Sequence, residues 1–275
     1  MQRARRRSLS TQSHSASTQS RSARGISRVI GAIAVLCLLA GSSALAAAAP
    51  VSAAAQETVT VNGRTYDAYV PAATKVGQFA YYTCEFDAAW VVLATFGHDV
   101  PLEEQMAIVG QDRSVEPYAV PTADGYTIYG GDISVGFSGD YTHNFLARTT
   151  GGAMRPLFEA YGLETRAVKS RHGLEKMLRA GALVWMKATV DFLPWEPATW
   201  VAPDGRTFPT VLGNDHAVVV IGYNAEGVVI RDVLGPTNTN WSRAYEYVVD
   251  WTTFLAVAKA QGFDAVAVSQ PTPTG

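Results

Sequence analysis

Residues 78–97 read QFAYYTCEFDAAWVVLATFG, which places a cysteine at the start of a long apolar segment. From Cys84 to Phe96 the side chains are apolar on nearly every side of a helix, and Gly97 follows where a C-terminal cap is expected. A helix that is apolar all round lies buried inside a domain rather than on its surface. The stretch therefore predicts a buried central helix that begins at a cysteine.

Cys84 occupies a position that suits a nucleophile. It begins the predicted helix, with Thr83 available as the N-cap, and the positive end of a helix dipole lowers the pKa of a thiol. Glu85 and Asp87 lie in the same first turn. Their carboxylates would raise the pKa of the thiol unless they point away from it, and the sequence leaves their direction open.

A nucleophilic thiol needs an imidazole as its base. His98 follows the predicted cap of the central helix, His143 lies in a long loop and His172 precedes a helix. His216 instead opens an apolar strand about 130 residues after Cys84. Papain-type enzymes place their cysteine at the start of a helix and their histidine at the start of a strand with about this separation, so His216 is the predicted base.

Two further side chains complete the predicted site. Asp232 ends the strand that pairs with the His216 strand in a predicted hairpin, where a carboxylate could hold the tautomer of the imidazole. A flat, regular ladder would leave the two residues about 13 Å apart, so strong coiling or a bulge must close the gap. Gln78 precedes Cys84 by six residues, and its amide could join the backbone N–H of Cys84 in an oxyanion hole.

Two blocks of this sequence resemble a known family. QFAYYTCEFDAA at 78–89 and HAVVVIGY at 216–223, together with Asp232, resemble the peptidases that remove double-glycine leaders from bacteriocins. The likeness is strongest to the stand-alone, exported branch of that family and spans about residues 74–270. It implies a papain-like α+β fold, with the cysteine on a buried N-terminal helix packed on an antiparallel sheet that carries the histidine. A peptide or protein substrate is implied as well.

The resemblance also assigns roles to single residues. It implies that Cys84 is the nucleophile, His216 the general base, Asp232 the orienting group and Gln78 the oxyanion donor. The chain departs from the transporter-linked members, which have glycine at the position of Glu85 and favour proline at that of Val233. The sequence also lacks a glycine-rich phosphate loop with lysine, so a leader-peptide substrate is not implied.

The remaining patterns predict an α+β domain, with helices in its first half and strands in its second. The predicted elements are a hairpin over 58–70, helices over 101–109, 153–161, 173–180 and 252–261, and strands over 165–168, 182–190, 216–223, 228–232 and 263–268. Residues 111–150 are rich in Gly, Tyr, Asp and Ser and show no clear period, which predicts a functional loop or a lid.

Residues 1–55 have the organisation of a secretory signal. An Arg-rich start precedes an apolar run from Val29 to Ala40, and small residues follow. The predictions are a signal peptide or N-terminal anchor over 1–55, a mature start between 46 and 56, a papain-like domain over 56–270 and a flexible tail over 271–275. Export would place the mature protein outside the cytoplasm, either secreted or anchored facing outward. Cleavage removes Cys37 and leaves Cys84 as the single thiol.

Charge and histidine spacing exclude some partners. Seven of the 22 basic residues lie within 1–56, whereas all 24 acidic residues follow that segment. So acidic a domain is a poor binder of nucleic acid or of an anionic membrane after cleavage of the signal. The four histidines after residue 56 have no ligand spacing with Cys84, so no metal and no other cofactor is expected. The sequence makes no prediction about the oligomeric state.

Three functions fit these residues. An exported cysteine peptidase or amide hydrolase would hydrolyse its acyl-enzyme, whereas a thiol acyltransferase on the same fold would exclude water from it. The third is a non-catalytic binding module, which the two acids beside Cys84 and the long loop favour. A thiol-reactive probe distinguishes the module, because binding alone needs no activated thiol.

Overall fold

The computed structural model describes residues 58–271. The predicted signal peptide or anchor over 1–55, the predicted mature start and residues 272–275 of the predicted tail lie outside the described residues. Within residues 58–271, none of the helices is long and apolar enough to cross a bilayer.

The described residues form short strands and helices whose order agrees with the predicted α+β class. The strands are β1 (Val59–Val61), β2 (Arg64–Tyr66), β3 (Ala68–Tyr69), β4 (Tyr118–Thr122), β5 (Gly125–Tyr129), β6 (Glu164–Val168), β7 (Leu183–Thr189), β8 (Pro197–Val201), β9 (Thr207–Val211), β10 (Asp215–Tyr223), β11 (Gly227–Arg231), β12 (Glu246–Asp250) and β13 (Ala265–Ser269). The helices are α1 (Cys84–Thr95), α2 (Leu102–Val109), α3 (Gly151–Ala160), α4 (Arg171–Arg179) and α5 (Trp251–Ala260).

A seven-stranded antiparallel sheet forms the centre of the domain. Its strand order is β12-β11-β10-β7-β13-β6, and β3 adds to the end of β10 beside Gly222 and Tyr223. Every residue of β7 is buried, which explains why its sequence LVWMKAT is almost continuously apolar. A strand reads this way when both faces of its sheet are covered.

Helices cover both faces of this sheet. One core joins α1, α2 and α3 to the sheet through residues such as Phe86 and Leu157, and a second core joins α4 and α5 to the opposite face through Leu174 and Phe254. All four side chains are fully buried, and each such burial stabilises the fold by about 1.5–3 kcal/mol. The helix that begins at Cys84 is therefore buried against the sheet that carries His216, as the sequence predicts.

The segment 111–150 is more regular than the sequence predicts. Strands β4 and β5 form a hairpin within it, and β5 then pairs in parallel with β8 in a second sheet of order β4-β5-β8-β9. The prediction of an unbroken loop or lid is therefore wrong over 118–129. Only Ile128 is buried along the hairpin, and Pro121 interrupts β4, so the segment gives almost no apolar period.

Candidate active site

Three of the four predicted residues line one cavity. Gln78, Cys84 and His216 border a cavity of about 170 Å³, whose wall also contains aromatic rings from Tyr81 and Phe145. Cys84 is the first residue of α1, and His216 is the second residue of β10. The fourth predicted residue, Asp232, lies directly behind the imidazole rather than on the cavity wall.

A hydrogen bond joins His216 to Asp232, with 2.9 Å between Nε2 and Oδ1. Because an ionised carboxylate can only accept, this bond assigns the proton to Nε2 and leaves Nδ1 as the basic nitrogen. Burial raises the pKa of Asp232, but the charge of His216 and the hydrogen bond to it, followed by the charge of Arg243, hold that pKa well below its ordinary value. The imidazole therefore faces a carboxylate that remains ionised.

Other groups hold Asp232 in place. The backbone N–H of Leu234 donates to Oδ1 at 3.0 Å, and the hydroxyl of Tyr247 donates to Oδ2 at 3.0 Å. The guanidinium of Arg243 lies 3.2 Å from the same Oδ2. Oδ1 thus has the N–H of Leu234 as a donor in addition to the imidazole, and Oδ2 has donors of its own. Together these contacts fix the plane of the carboxylate.

A bulge in β10 brings the two residues together. The turn is one residue longer than predicted, since Tyr223 pairs with Val228, and the register then shifts by one more residue between Val220 and Gly222. Each change moves Asp232 one position closer to His216 along the ladder. The predicted offset of four positions falls to two, which keeps both side chains on one face of the sheet. The bulge that the sequence requires is therefore present.

The two acids of the first turn point in opposite directions. Glu85 faces the thiol, with 3.3 Å between Cys84 Sγ and Oε2. Burial and the charge of Glu85 raise the pKa of Cys84 well above its ordinary value, although the charge of Lys187 opposes them. Burial and the adjacent carboxylate thus oppose the lowering of this thiol's pKa that the helix position predicts.

Asp87 points away from the thiol and holds the loop that carries Gln78. Its Oδ1 accepts from the backbone N–H of Phe79 at 2.9 Å and lies 3.0 Å from Lys75 Nζ, and its Oδ2 accepts from the Thr83 hydroxyl at 2.8 Å. Thr83 makes no side-chain capping bond, contrary to the prediction, because this hydroxyl faces Asp87 instead. Burial raises the pKa of Asp87 to about 6 against the opposing charge of Lys75.

Both neighbours of Gln78 are fixed. The N–H of Gly77 donates to the carbonyl of Val233 at 2.8 Å, and the N–H of Phe79 donates to Asp87. Gly77 has a φ of 77°, a conformation that glycine adopts without strain. Gln78 thus lies on the wall of the cavity that Cys84 also lines, within the part of the chain where a predicted oxyanion donor is needed.

Several charged or polar residues of this site escape the sequence patterns. Lys187 lies between Glu85 and Asp215, and Arg243 and Tyr247 lie beside Asp232. One signal was present in the sequence, since a lysine in the apolar strand LVWMKAT must find a buried partner. Within residues 58–271 no group of three or more His, Cys, Asp or Glu side chains is arranged to hold a metal ion.

A comparison with solved structures identifies the fold. A crystal structure of a protein from Bacillus anthracis, described as a C39-like peptidase, matches with a TM-score of 0.55 and 21% sequence identity. The match covers 74% of this chain and 96% of that one. No family model matches the sequence, and the search of curated proteins finds no match. The likeness confirms the predicted α+β fold of papain-like cysteine peptidases, whereas the leader-peptidase branch and export remain predictions.

Proposed function

We propose that this protein is an exported cysteine peptidase or amide hydrolase. The observation that carries the proposal is the His216–Asp232 hydrogen bond at the wall of the cavity into which Cys84 opens. A nucleophile, a base and an orienting carboxylate in this order form the recurring constellation of acyl-transfer enzymes. The solved structure of the same fold, described as a C39-like peptidase, adds support for the reaction class.

The first half of the reaction forms an acyl-enzyme. Nδ1 of His216 takes the proton of the Cys84 thiol, and the thiolate attacks the carbonyl carbon of the substrate amide. The oxyanion accepts hydrogen bonds from the backbone N–H of Cys84 and the amide of Gln78. The first N–H groups of a helix have no partner within it, so the N–H of Cys84 suits this role. His216 then protonates the leaving amine.

The second half releases the product. Water gives a proton to Nδ1 of His216 and attacks the thioester carbonyl. The C–S bond then breaks, the departing Cys84 thiolate takes the proton back from His216, and the product acid is released. Asp232 stays ionised throughout and stabilises the imidazolium that forms in each half-reaction. The residues of the chain supply every proton transfer, and this scheme uses no cofactor.

Peptides or proteins are the proposed substrates. Tyr81 is 76% exposed and Phe145 is 52% exposed, and both rings border the cavity. Exposed aromatic rings beside a cleft are suited to packing against side chains of an extended peptide. Export is proposed from the Arg-rich start and the apolar run before residue 56, and N-terminal sequencing of the secreted protein tests it. Recovery of the intact chain in the membrane would favour an anchor instead.

One observation favours a second candidate, a non-catalytic binding module. The Glu85 carboxylate lies against the thiol and raises its pKa, which a module without turnover would tolerate. Turnover of peptide by the purified full chain separates the two candidates. A library of internally quenched peptides should be cleaved by the wild type and not by Cys84→Ser or His216→Ala. The exposed His172 on α4 provides the matched control, and His172→Ala should cleave like the wild type.

An acyltransferase is tested in the same assay. An amine acceptor is added to the cleavage reaction. If the enzyme excludes water from its thioester, the acyl group should pass to the amine instead of to water. Cleavage that is unaffected by the acceptor supports hydrolysis, and transfer to the acceptor in preference to water would contradict it.

A further inference from the structure

A buried cluster of charges lies between α1 and the central sheet, directly beneath Cys84. Glu85 on α1, Lys187 on β7 and Asp215 on β10 are each at least 95% buried at their side chains. Lys187 Nζ lies 2.5 Å from Glu85 Oε1 and 2.5 Å from Asp215 Oδ2. Arg148, also buried, lies 3.8 Å from the same Asp215 oxygen, so the cluster contains two acids and two bases.

The two oxygens of Glu85 have different partners. Oε1 faces the ammonium of Lys187 and accepts from the backbone N–H of Thr149 at 3.3 Å. Oε2 faces the thiol of Cys84 at 3.3 Å. An ionised carboxylate has no proton to donate, so this contact is a hydrogen bond only while the thiol carries its proton. A thiolate at the same place would face a negative charge.

Stability alone does not account for these charges. Replacing a buried ion pair by apolar residues of similar volume is often neutral or stabilising, so a buried ion pair is weak evidence for a purely structural role. Lys187 lies in a strand that is otherwise apolar apart from its terminal threonine, where an apolar side chain would satisfy the core. The cluster therefore points to a function connected with the group it contacts, which is the thiol.

We propose that Glu85 is a positioning residue that accepts the hydrogen bond of the Cys84 thiol and keeps the resting nucleophile protonated. Lys187 fixes the orientation of Glu85 through its contact with Oε1, which leaves Oε2 facing the thiol. The S–H bond breaks only when its proton passes to Nδ1 of His216 as the substrate carbonyl is attacked. This inference rests on the proposed function and adds a restraint on the nucleophile that the triad alone does not contain.

The charged groups around the thiol define what the test must separate. Lys187 faces the cluster from β7, and Asp215 and His216 face it from β10. Arg148 approaches from the segment before α3, and the buried Asp264 lies before β13 and interacts with Lys187 and Asp215. All of these groups are unchanged when only the charge of Glu85 is removed, so Glu85→Gln isolates its effect.

The test is the pH dependence of alkylation of Cys84 by iodoacetamide, measured on the full chain from pH 5 to 10. Glu85→Gln should move the midpoint of the rate profile to lower pH by about one unit, which is a tenfold gain in thiolate fraction below the midpoint. Glu85→Asp keeps a carboxylate near the thiol and should restore most of the wild-type midpoint. Glu103→Gln removes one exposed negative charge on α2 and should leave the midpoint unchanged.

Folding is controlled by a second variant. If Glu85→Gln alone does not fold, the double variant Glu85→Gln with Lys187→Met removes one charge of each sign and leaves Asp215 beside Arg148. Its midpoint should also lie below that of the wild type, because the loss of Glu85 outweighs the loss of Lys187. A folded Glu85→Gln or double variant with the wild-type midpoint would overturn the proposal. If the midpoint shifts but neither the wild type nor any variant cleaves peptides, the result would contradict the proposed peptidase function. It would still support the proposed effect of Glu85 on the thiol.

Discussion

His216 lies on β10 and Asp232 directly follows the neighbouring β11, yet their side chains are joined by a 2.9 Å hydrogen bond that a regular ladder would not allow. The longer turn and the bulge between Val220 and Gly222 supply the shift in register. The bulge therefore shapes the candidate site as well as the packing. It brings together two residues at the open end of the hairpin, away from its turn.

The orienting role of Asp232 predicts a graded loss of activity. Asp232→Asn keeps the shape but removes the charge that stabilises the imidazolium, so kcat should fall by about 10²-fold. His216→Ala should cost more, because it removes the base itself. The matched control is Tyr247→Phe, which removes only the hydroxyl that donates to Oδ2 and should cost less than tenfold. Equal activity of Asp232→Asn and wild type in steady-state assays would exclude the orienting role.

Gln78 is predicted to act on the transition state. Gln78→Ala should lower kcat by about 10²–10³-fold with little change in KM, because one oxyanion donor is lost while substrate binding is kept. Gln78→Glu preserves the size of the side chain and replaces the donor by an acceptor, so it should be no more active than Gln78→Ala. If both variants keep the kcat of the wild type, the oxyanion hole does not include this residue.

Asp87 is predicted to make stability depend on pH in a defined window. Its pKa is raised to about 6 in the folded chain. Its stabilising contribution to the free energy of unfolding is therefore fully present below about pH 4 and is lost as the pH rises through 6. The shift corresponds to about 3 kcal/mol. Asp87→Asn should therefore gain stability relative to the wild type between pH 4 and pH 7.

Urea unfolding of both proteins across this range measures the difference. Asp232 and Asp215 have lowered pKa values, and their contributions are lost in the opposite direction, as the pH falls below about 4. They are present in both proteins and cancel in the comparison. A difference in the free energy of unfolding that stays constant with pH would show that Asp87 has no raised pKa.

The bulge itself can be tested through Gly222. A Cβ at this position would lie 2.7 Å from the carbonyl oxygen of Ala68, where β3 pairs with β10. Gly222→Ala should therefore destabilise the fold by about 1–3 kcal/mol, because the backbone of β3 must move. Gly152→Ala is the control, since its Cβ would meet nothing closer than 3.5 Å within α3, and it should be neutral or stabilising. Equal effects of the two substitutions on thermal unfolding would argue against a close packing of β3 on the bulge.

The sequence predicts the elements of this site better than its electrostatics. The apolar run after Cys84 and the apolar strand after His216 predict a buried helix and a central strand, because burial on all sides leaves an unbroken hydrophobic signal. The orientation of Glu85 and Asp87 depends on which side chains of β7 and β10 lie opposite them. Such contacts are set by sheet register and bulges, which local patterns do not encode.

The second sheet also contains strands that local sequence patterns do not predict. Strands β4 and β5 bury one face only slightly, so their sequences have no clear alternation and local patterns predict a loop there. The pairing of β5 with β8 brings together residues about 70 positions apart. Long-range pairing of half-exposed strands can be read from the structure but not from the local sequence.

Trapping of the acyl-enzyme shows whether Cys84 is the nucleophile. The full chain should be mixed with an intact ester of a peptide that the wild type cleaves. The mixture is quenched in acid within the first turnover, and the protein is examined by mass spectrometry. We expect a thioester on Sγ of Cys84 that hydroxylamine removes. His216→Ala should fail to accumulate this thioester, and His172→Ala should form it like the wild type. Turnover by the wild type without any adduct on Cys84, or unchanged turnover by Cys84→Ser, would contradict the role of Cys84 as nucleophile.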